Sequence, residues 1–139
     1  MRSHAVRIVA VLALVLALAL SSAAASERAA VAFIRGMLLG VKASVVDCPE
    51  GVAASVTARG LRSICATYDG DFESLRSAWD VWHEADFDVQ LLDGSHRSVR
   101  GQARTAWETS GDEQERIYAV GDGTVGVRVS KGEILIVYK

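Results

Sequence analysis

Two stretches of the chain carry apolar residues at the three- and four-residue spacing that is typical of an amphipathic helix. The first extends from Glu27 to about Lys42, and the second begins after Asp71. An aspartate at the position of Asp71 accepts hydrogen bonds from the free amides of a first helical turn. The apolar face of the second stretch consists of Phe72, Leu75, Trp79 and Trp82. The pattern therefore predicts two helices.

Elsewhere the apolar and polar residues alternate, which indicates strands with one buried face. The predicted strands are Val52–Ala58, Leu61–Tyr68, Phe87–Leu91, Arg97–Trp107, Arg116–Val120, Thr124–Ser130 and Glu133–Tyr138. Asp122-Gly123 and Lys131-Gly132 are two-residue connections of the kind that close tight hairpins. We therefore expect an α+β domain in which two helices pack on a curved antiparallel sheet of about five or six strands, ending in a three-stranded meander.

The N-terminal residues follow neither pattern. Arg2 and Arg7 precede an uninterrupted apolar run from Ile8 to Leu20, and small residues follow up to Ala25. These are the three parts of a secretory signal peptide, so residues 1–25 are expected to be removed and residues 26–139 to form a single domain. The alternative is an uncleaved membrane anchor, because the run approaches the length of a spanning helix.

Removal of the leader also changes the charge. The full chain has 15 Lys and Arg against 17 Asp and Glu, and loss of Arg2 and Arg7 takes the formal net charge from −2 to −4. An acidic domain is a poor candidate for binding nucleic acid, which requires a basic surface to neutralise phosphates. We expect a periplasmic or extracellular bacterial protein with no nucleic-acid partner and, after cleavage, no membrane contact.

Cys48 and Cys65 are the two cysteines of the chain. An even number of cysteines in an exported protein predicts a disulfide bond. The alternative is a metal site completed by His83 and His96, but the spacing lacks the close ligand pairs of structural zinc motifs. The sequence therefore predicts a disulfide between Cys48 and Cys65, and neither a metal ion nor a cofactor.

The candidates for catalysis lie around the end of the second predicted helix. His83-Glu84 begins like the zinc-protease motif, but Phe87 occupies the position of its second histidine. Glu84, Asp86 and Asp88 alternate along an extended segment, so their carboxylates are expected to share a face that His83 or His96 could join. Such a cluster could hold a divalent cation or serve as a general acid/base pair. A solvated acidic rim is the alternative explanation for the same residues.

A second candidate site lies on the following strand. If residues 96–106 are extended, alternate side chains form a basic and hydrogen-bonding stripe. This stripe consists of His96, Ser98, Arg100, Gln102 and Arg104. Guanidinium groups bind carboxylate, sulfate or phosphate, so the stripe is a candidate surface for a small anionic ligand. Arginine on a solvated sheet face is the alternative.

No motif set in the chain resembles a known family, and the leading hypothesis is a non-catalytic binding or accessory protein of the cell envelope. Its expected partner is a small anionic ligand or a protein. One alternative is a small hydrolase or lyase that uses the histidine and carboxylate candidates. Another alternative is a homo-oligomer, such as a homodimer, in which a second copy covers the apolar C-terminal strand or the helix face at Gly36 and Gly40.

Overall fold

The computed structural model describes residues 27–82, 84–91 and 93–139. The signal peptide expected at residues 1–25 lies outside this range, and so does His83. None of the helices in the described ranges combines the length and the apolar character that crossing a membrane requires.

The described residues form three α-helices and eight strands. The helices are α1 (residues 27–40), α2 (Glu50–Ala58) and α3 (Phe72–Trp79), and a 3-10 helix, Asp80–Trp82, follows α3. The strands are β1 (Ser44–Val46), β2 (Arg62–Thr67), β3 (Glu84–Gln90), β4 (His96–Ala103), β5 (Glu108–Ser110), β6 (Glu113–Val120), β7 (Gly123–Ser130) and β8 (Glu133–Tyr138).

All strands belong to one curled antiparallel sheet with the order β1-β2-β8-β7-β6-β4-β3, and β5 pairs with β6. The predicted meander is confirmed as β6, β7 and β8. Its second connection is Lys131-Gly132, as predicted. The first consists of Gly121 and Asp122, because Val120 pairs with Gly123 and Gly121 has the positive φ of 57° that the turn requires.

The expectation of two helices on five or six strands is wrong, mainly because Val52–Ala58 is not a strand but belongs to α2. Pro49, with φ −52°, precedes its first turn, and Gly60, with φ 72°, follows its last. Val52 and Val56 are half-buried at helical spacing. Because Val and Ala occur in both helices and strands, the flanking Pro49 and Gly60 are what favour a helix for this segment.

Two further strands were not predicted. β1 and β5 are three residues long, and so short a segment shows too few residues for an alternating pattern to be recognised. β5 follows an irregular stretch, residues 104–107, that separates it from β4. The predicted strand Arg97–Trp107 therefore ends at Ala103 in the structure.

The hydrophobic core lies between α1, α3 and one face of the sheet, which we call the inner face and which carries Tyr118, Val125, Val127 and Ile136. Phe33 of α1 and Trp79 of α3 are both completely buried there. The Trp79 indole Nε1 donates a hydrogen bond of 2.9 Å to the carbonyl oxygen of Met37. The two predicted helices therefore pack against each other as well as on the sheet.

The predicted disulfide bond is confirmed between Cys48, which lies two residues beyond β1, and Cys65 of β2. Cys65 is directly opposite Val46 in the β1–β2 pair. The two cysteines are 17 residues apart, and closing a loop of that length stabilises a fold by about 3 kcal/mol in the chain-entropy model.

The predicted cap of α3 is also confirmed, because the Asp71 carboxylate accepts a 2.8 Å hydrogen bond from the backbone amide of Ser74. This hydrogen bond holds the pKa of Asp71 below its ordinary value. Because the folded pKa is depressed, the cap stabilises the fold above the unfolded pKa, and its contribution disappears as the pH falls through the folded pKa.

We expect Asp71→Ala to lower the melting temperature at neutral pH, because the mutant helix loses its side-chain cap. The difference in melting temperature between mutant and wild type should become smaller at pH values well below the ordinary aspartate pKa of about 3.9. At such pH values Asp71 of the wild type is protonated and no longer provides a charged cap. Thermal unfolding followed by circular dichroism across this pH range measures both effects. If the difference in melting temperature does not change with pH, the ionised Asp71 carboxylate is not the cap that stabilises α3.

Candidate functional site

The β3–β4 hairpin brings the two sequence-predicted sites together on one surface. The side chains of this surface alternate with Ala85, Phe87 and Val89, whose side chains turn toward the core. From β3 it carries Glu84, Asp86, Asp88 and Gln90, and their direct partners on β4 are Gln102, Arg100, Ser98 and His96. We call this surface the outer hairpin face. The acidic candidates lie on its β3 strand, and His96, Ser98, Arg100 and Gln102 of the basic stripe lie on its β4 strand.

Arg100 is the centre of this face. Its Nη1 donates a 2.7 Å hydrogen bond to Oε1 of Glu84, and its Nε donates a 3.0 Å hydrogen bond to Oδ1 of Asp86. The hydrogen bond from Arg100 and its positive charge hold the pKa of Asp86 below the ordinary value. Asp86 therefore stays ionised near neutral pH, whereas a general acid requires a raised pKa.

His96 lies at the other end of the hairpin, where its Nδ1 is 2.8 Å from Oδ2 of Asp88. Both side chains are more than half exposed. The structure therefore places Glu84, Asp86 and Asp88 on one face, and His96 joins this row through Asp88. His83, the other histidine proposed for the catalytic cluster, lies outside the described residues.

The remaining residues of the basic stripe are Gln102 and Arg104. Gln102 is opposite Glu84, and Arg104 follows β4, where its backbone amide donates a 2.7 Å hydrogen bond to the carbonyl of Ile117. Neither side chain hydrogen-bonds to another side chain within the described ranges. On the hairpin itself, three carboxylates stand against the one guanidinium of Arg100, so negative groups outnumber positive ones on the outer hairpin face.

A buried arginine was not identified from the sequence as a residue of interest. Arg116 on β6 is only 7 % exposed. Its Nε donates a 3.0 Å hydrogen bond to the carbonyl of Thr105, and its Cζ lies 5.5 Å and 5.4 Å from the ring centroids of Trp107 and Tyr118. Strand alternation could have revealed the burial of Arg116 from the sequence. Residues two positions apart on a strand share a face, so Arg116 lies on the same inner face as Tyr118.

These contacts assign Arg116 a structural role. It joins the irregular stretch of residues 104–107 to the core through a carbonyl group and two aromatic rings. Burial raises the pKa of the neighbouring Tyr118 phenol, which keeps that group neutral. The cluster therefore explains how a stretch without regular secondary structure is held against the sheet.

The inner face of the sheet is occupied by the protein's own side chains, foremost Phe33 and Trp79. A groove with a volume of about 590 Å³ runs between α1 and β3, beside Arg28, Val31 and Arg35. Across residues 27–82, 84–91 and 93–139, no three His, Cys, Asp or Glu side chains are grouped to hold a metal ion.

The outer hairpin face combines charged groups of both signs in a regular array on exposed strands. Comparisons of the chain with protein-family models, with curated proteins and with solved structures find no match, so its function must be argued from this geometry.

Proposed function

We propose that this chain is an exported, non-catalytic binding domain of the cell envelope, and that it recognises an extended basic segment of a partner protein through the outer hairpin face. The observation that carries the proposal is the row of carboxylates on β3: Glu84, Asp86 and Asp88 occupy alternate positions of an exposed strand, and within the described ranges Arg100 is the arginine that forms ion pairs with this row. The disulfide supports an oxidising compartment.

The position of β3 in the sheet explains why the expected ligand is an extended segment. β3 is the last strand in the described sheet order, so one side of its backbone has no neighbouring strand there. At the end of this edge the Gln90 carbonyl accepts a 2.8 Å hydrogen bond from Nη1 of Arg28, which leaves the part from Glu84 to Asp88 for a ligand. A segment that pairs along this edge would place every second side chain on the outer hairpin face. Alternate Lys or Arg residues would then lie opposite the carboxylates of Glu84, Asp86 and Asp88.

The same charges disfavour two other occupants. A second copy pairing through β3 would bring carboxylates against carboxylates, which is the usual way in which charged edge strands prevent self-association. A small anion at Arg100 would have to compete with Glu84 and Asp86, which already bind its guanidinium. A basic protein segment instead relieves the excess of negative charge.

A lysine-rich probe tests the proposal directly. We expect a fluorescent peptide of alternating Lys and Thr to bind the mature domain, and we expect Glu84→Gln/Asp86→Asn/Asp88→Asn to weaken this binding about tenfold, since each exposed charge pair contributes modestly. Fluorescence anisotropy at low and high salt measures the affinity. The matched control is Asp69→Asn/Glu73→Gln/Asp112→Asn, which changes the net charge equally with exposed residues elsewhere.

Two results would contradict this function. Equal weakening by both triple variants would show that the peptide responds only to net charge. Binding of an alternating Glu and Thr peptide, lost in Arg100→Gln/Arg104→Gln, would instead support the anionic ligand that the basic stripe suggests.

A further inference from the structure

Residues 44–61, which we call the flap, contain no buried residue. The flap includes β1, α2 and the connections around them. Its best-packed side chains, such as Val52 and Val56, are only half-buried, and none of its residues belongs to the buried core cluster. Segments with few buried apolar contacts open at a lower free energy than the rest of a protein. The flap is therefore the part of the described chain that depends least on the core.

Few interactions hold the flap to the rest of the sheet. β1 pairs with β2 over three residues. α2 has nine residues, and its N-cap residue, Pro49, makes no side-chain capping hydrogen bond. A helix of this length is not stable in isolation. Apart from the backbone at its two ends, the flap is joined covalently to the sheet by the disulfide from Cys48 to Cys65 in β2.

We propose that the Cys48–Cys65 disulfide is a redox latch, which keeps the flap docked on β2 when oxidised and releases it when reduced. The proposal does not depend on the identity of the partner of the outer hairpin face. It concerns the opposite end of the sheet, because β2 and β3 are separated in the strand order by β8, β7, β6 and β4.

The reductant required is a dithiol, either a small molecule or a protein with two neighbouring thiols. Its thiolate attacks Sγ of Cys48, because Cys48 is partly exposed whereas Cys65 is buried. The disulfide breaks, and Cys65 leaves as a thiolate that takes up a proton. The second thiol of the reductant then displaces Cys48, so two electrons and two protons pass to the protein while the dithiol becomes a disulfide.

Release of the flap would change the surface beneath it. A cavity of about 320 Å³ lies between the flap and the sheet, with Pro49 and Val52 on one side and Arg128 and Leu135 on the other. Without the flap this cavity becomes an open surface. β2 also loses β1 as its neighbour and becomes the edge of the sheet.

Hydrogen exchange of the intact mature protein, followed by mass spectrometry with and without dithiothreitol, tests the latch. We expect reduction to accelerate amide exchange in residues 44–61 by about a hundredfold, which is the factor that the loop-closure model gives for a loop of this size. The amides of β6, β7 and β8 should remain protected while those of the flap exchange, and reoxidation should restore protection of the flap. Cys48→Ser should behave like the reduced protein without any reductant.

Cys48→Ser/Cys65→Ser is the control for the reductant, because dithiothreitol should not alter its exchange further. Unchanged protection of residues 44–61 after reduction would overturn the proposal, since the flap would then be held without the disulfide. Simultaneous loss of protection in the flap and in β6, β7 and β8 would overturn it as well, because the disulfide would then stabilise the whole fold rather than one segment. Chemical reduction of the folded wild type gives this answer even if a serine variant fails to fold.

Discussion

Replacing Phe33 with alanine is expected to lower the free energy of unfolding by about 3–5 kcal/mol. Phe33 is completely buried where α1 meets the sheet, and its ring centroid lies 5.3 Å from that of Tyr118 and 6.0 Å from that of Phe87. The mutation removes these contacts and leaves a cavity that the sheet cannot fill. Urea unfolding followed by circular dichroism measures the change.

Leu39→Ala is the control on the same helix. Leu39 is 73 % exposed, so its truncation should change the free energy of unfolding by less than about 0.5 kcal/mol. Similar losses in Phe33→Ala and Leu39→Ala would show that α1 does not pack on the sheet through the face described here.

Gly101 provides a second way to test the position of Phe33. A Cβ atom at Gly101 would lie 2.5 Å from Cε2 of Phe33, so Gly101→Ala should cost about 1–3 kcal/mol through overpacking. The same mutation should cost much less in a Phe33→Ala background, because the clashing ring is absent. Gly51→Ala is the control, because nothing lies within 4 Å of a Cβ at that position. Additive effects of the two mutations would contradict the contact.

The second large effect is expected at Trp79. Trp79→Ala should cost about 3–5 kcal/mol, because the side chain is completely buried between α1 and the sheet. Trp79→Phe keeps an aromatic ring but removes the donor of the hydrogen bond to the Met37 carbonyl. The lost hydrogen bond costs about 0.5–1.5 kcal/mol in addition to the lost volume.

Trp107→Phe is the matched control for that hydrogen bond. The Trp107 Nε1 is buried, but it has no hydrogen-bond partner among the described residues, so the same exchange of side chains breaks no hydrogen bond. Chemical unfolding of both variants should therefore show a larger loss for Trp79→Phe. Equal losses would mean that the bond to Met37 adds no net stability.

The elements that the sequence predicted correctly carry local and redundant signals. α3 has a capping aspartate at Asp71 and an apolar stripe, and the C-terminal hairpins have glycine at their turns. α2 was mistaken for a strand because its Val and Ala residues fit both states and its apolar face is only half-buried. β1 exists because β2 offers it a partner, and no pattern within three residues reveals that.

The candidate site was predicted one strand at a time. Alternation along β3 correctly placed Glu84 and Asp86 on one face, and alternation along β4 placed His96 and Arg100 on one face. The pairing of these two rows depends on the register across residues 91–95, where the Leu91 amide donates a hydrogen bond to the Ser95 carbonyl. A slip of one residue would turn one row to the other side of the sheet. The local pattern does not specify that register, so neutralisation of Arg100 by its neighbours was not foreseen.

The strand order also constrains when the protein can fold. β8 lies between β2 and β7, and its Glu133–Tyr138 pairs with Thr67–Arg62 from much earlier in the chain. Until β8 has been synthesised, the sheet lacks the strand that joins its two parts, and β2 has no partner on that side. Such non-local pairing is slow to form because the intervening chain must first be closed into a loop. The nascent chain is therefore expected to stay unfolded until synthesis reaches β8, and an unfolded chain is suited to passage across a membrane before folding.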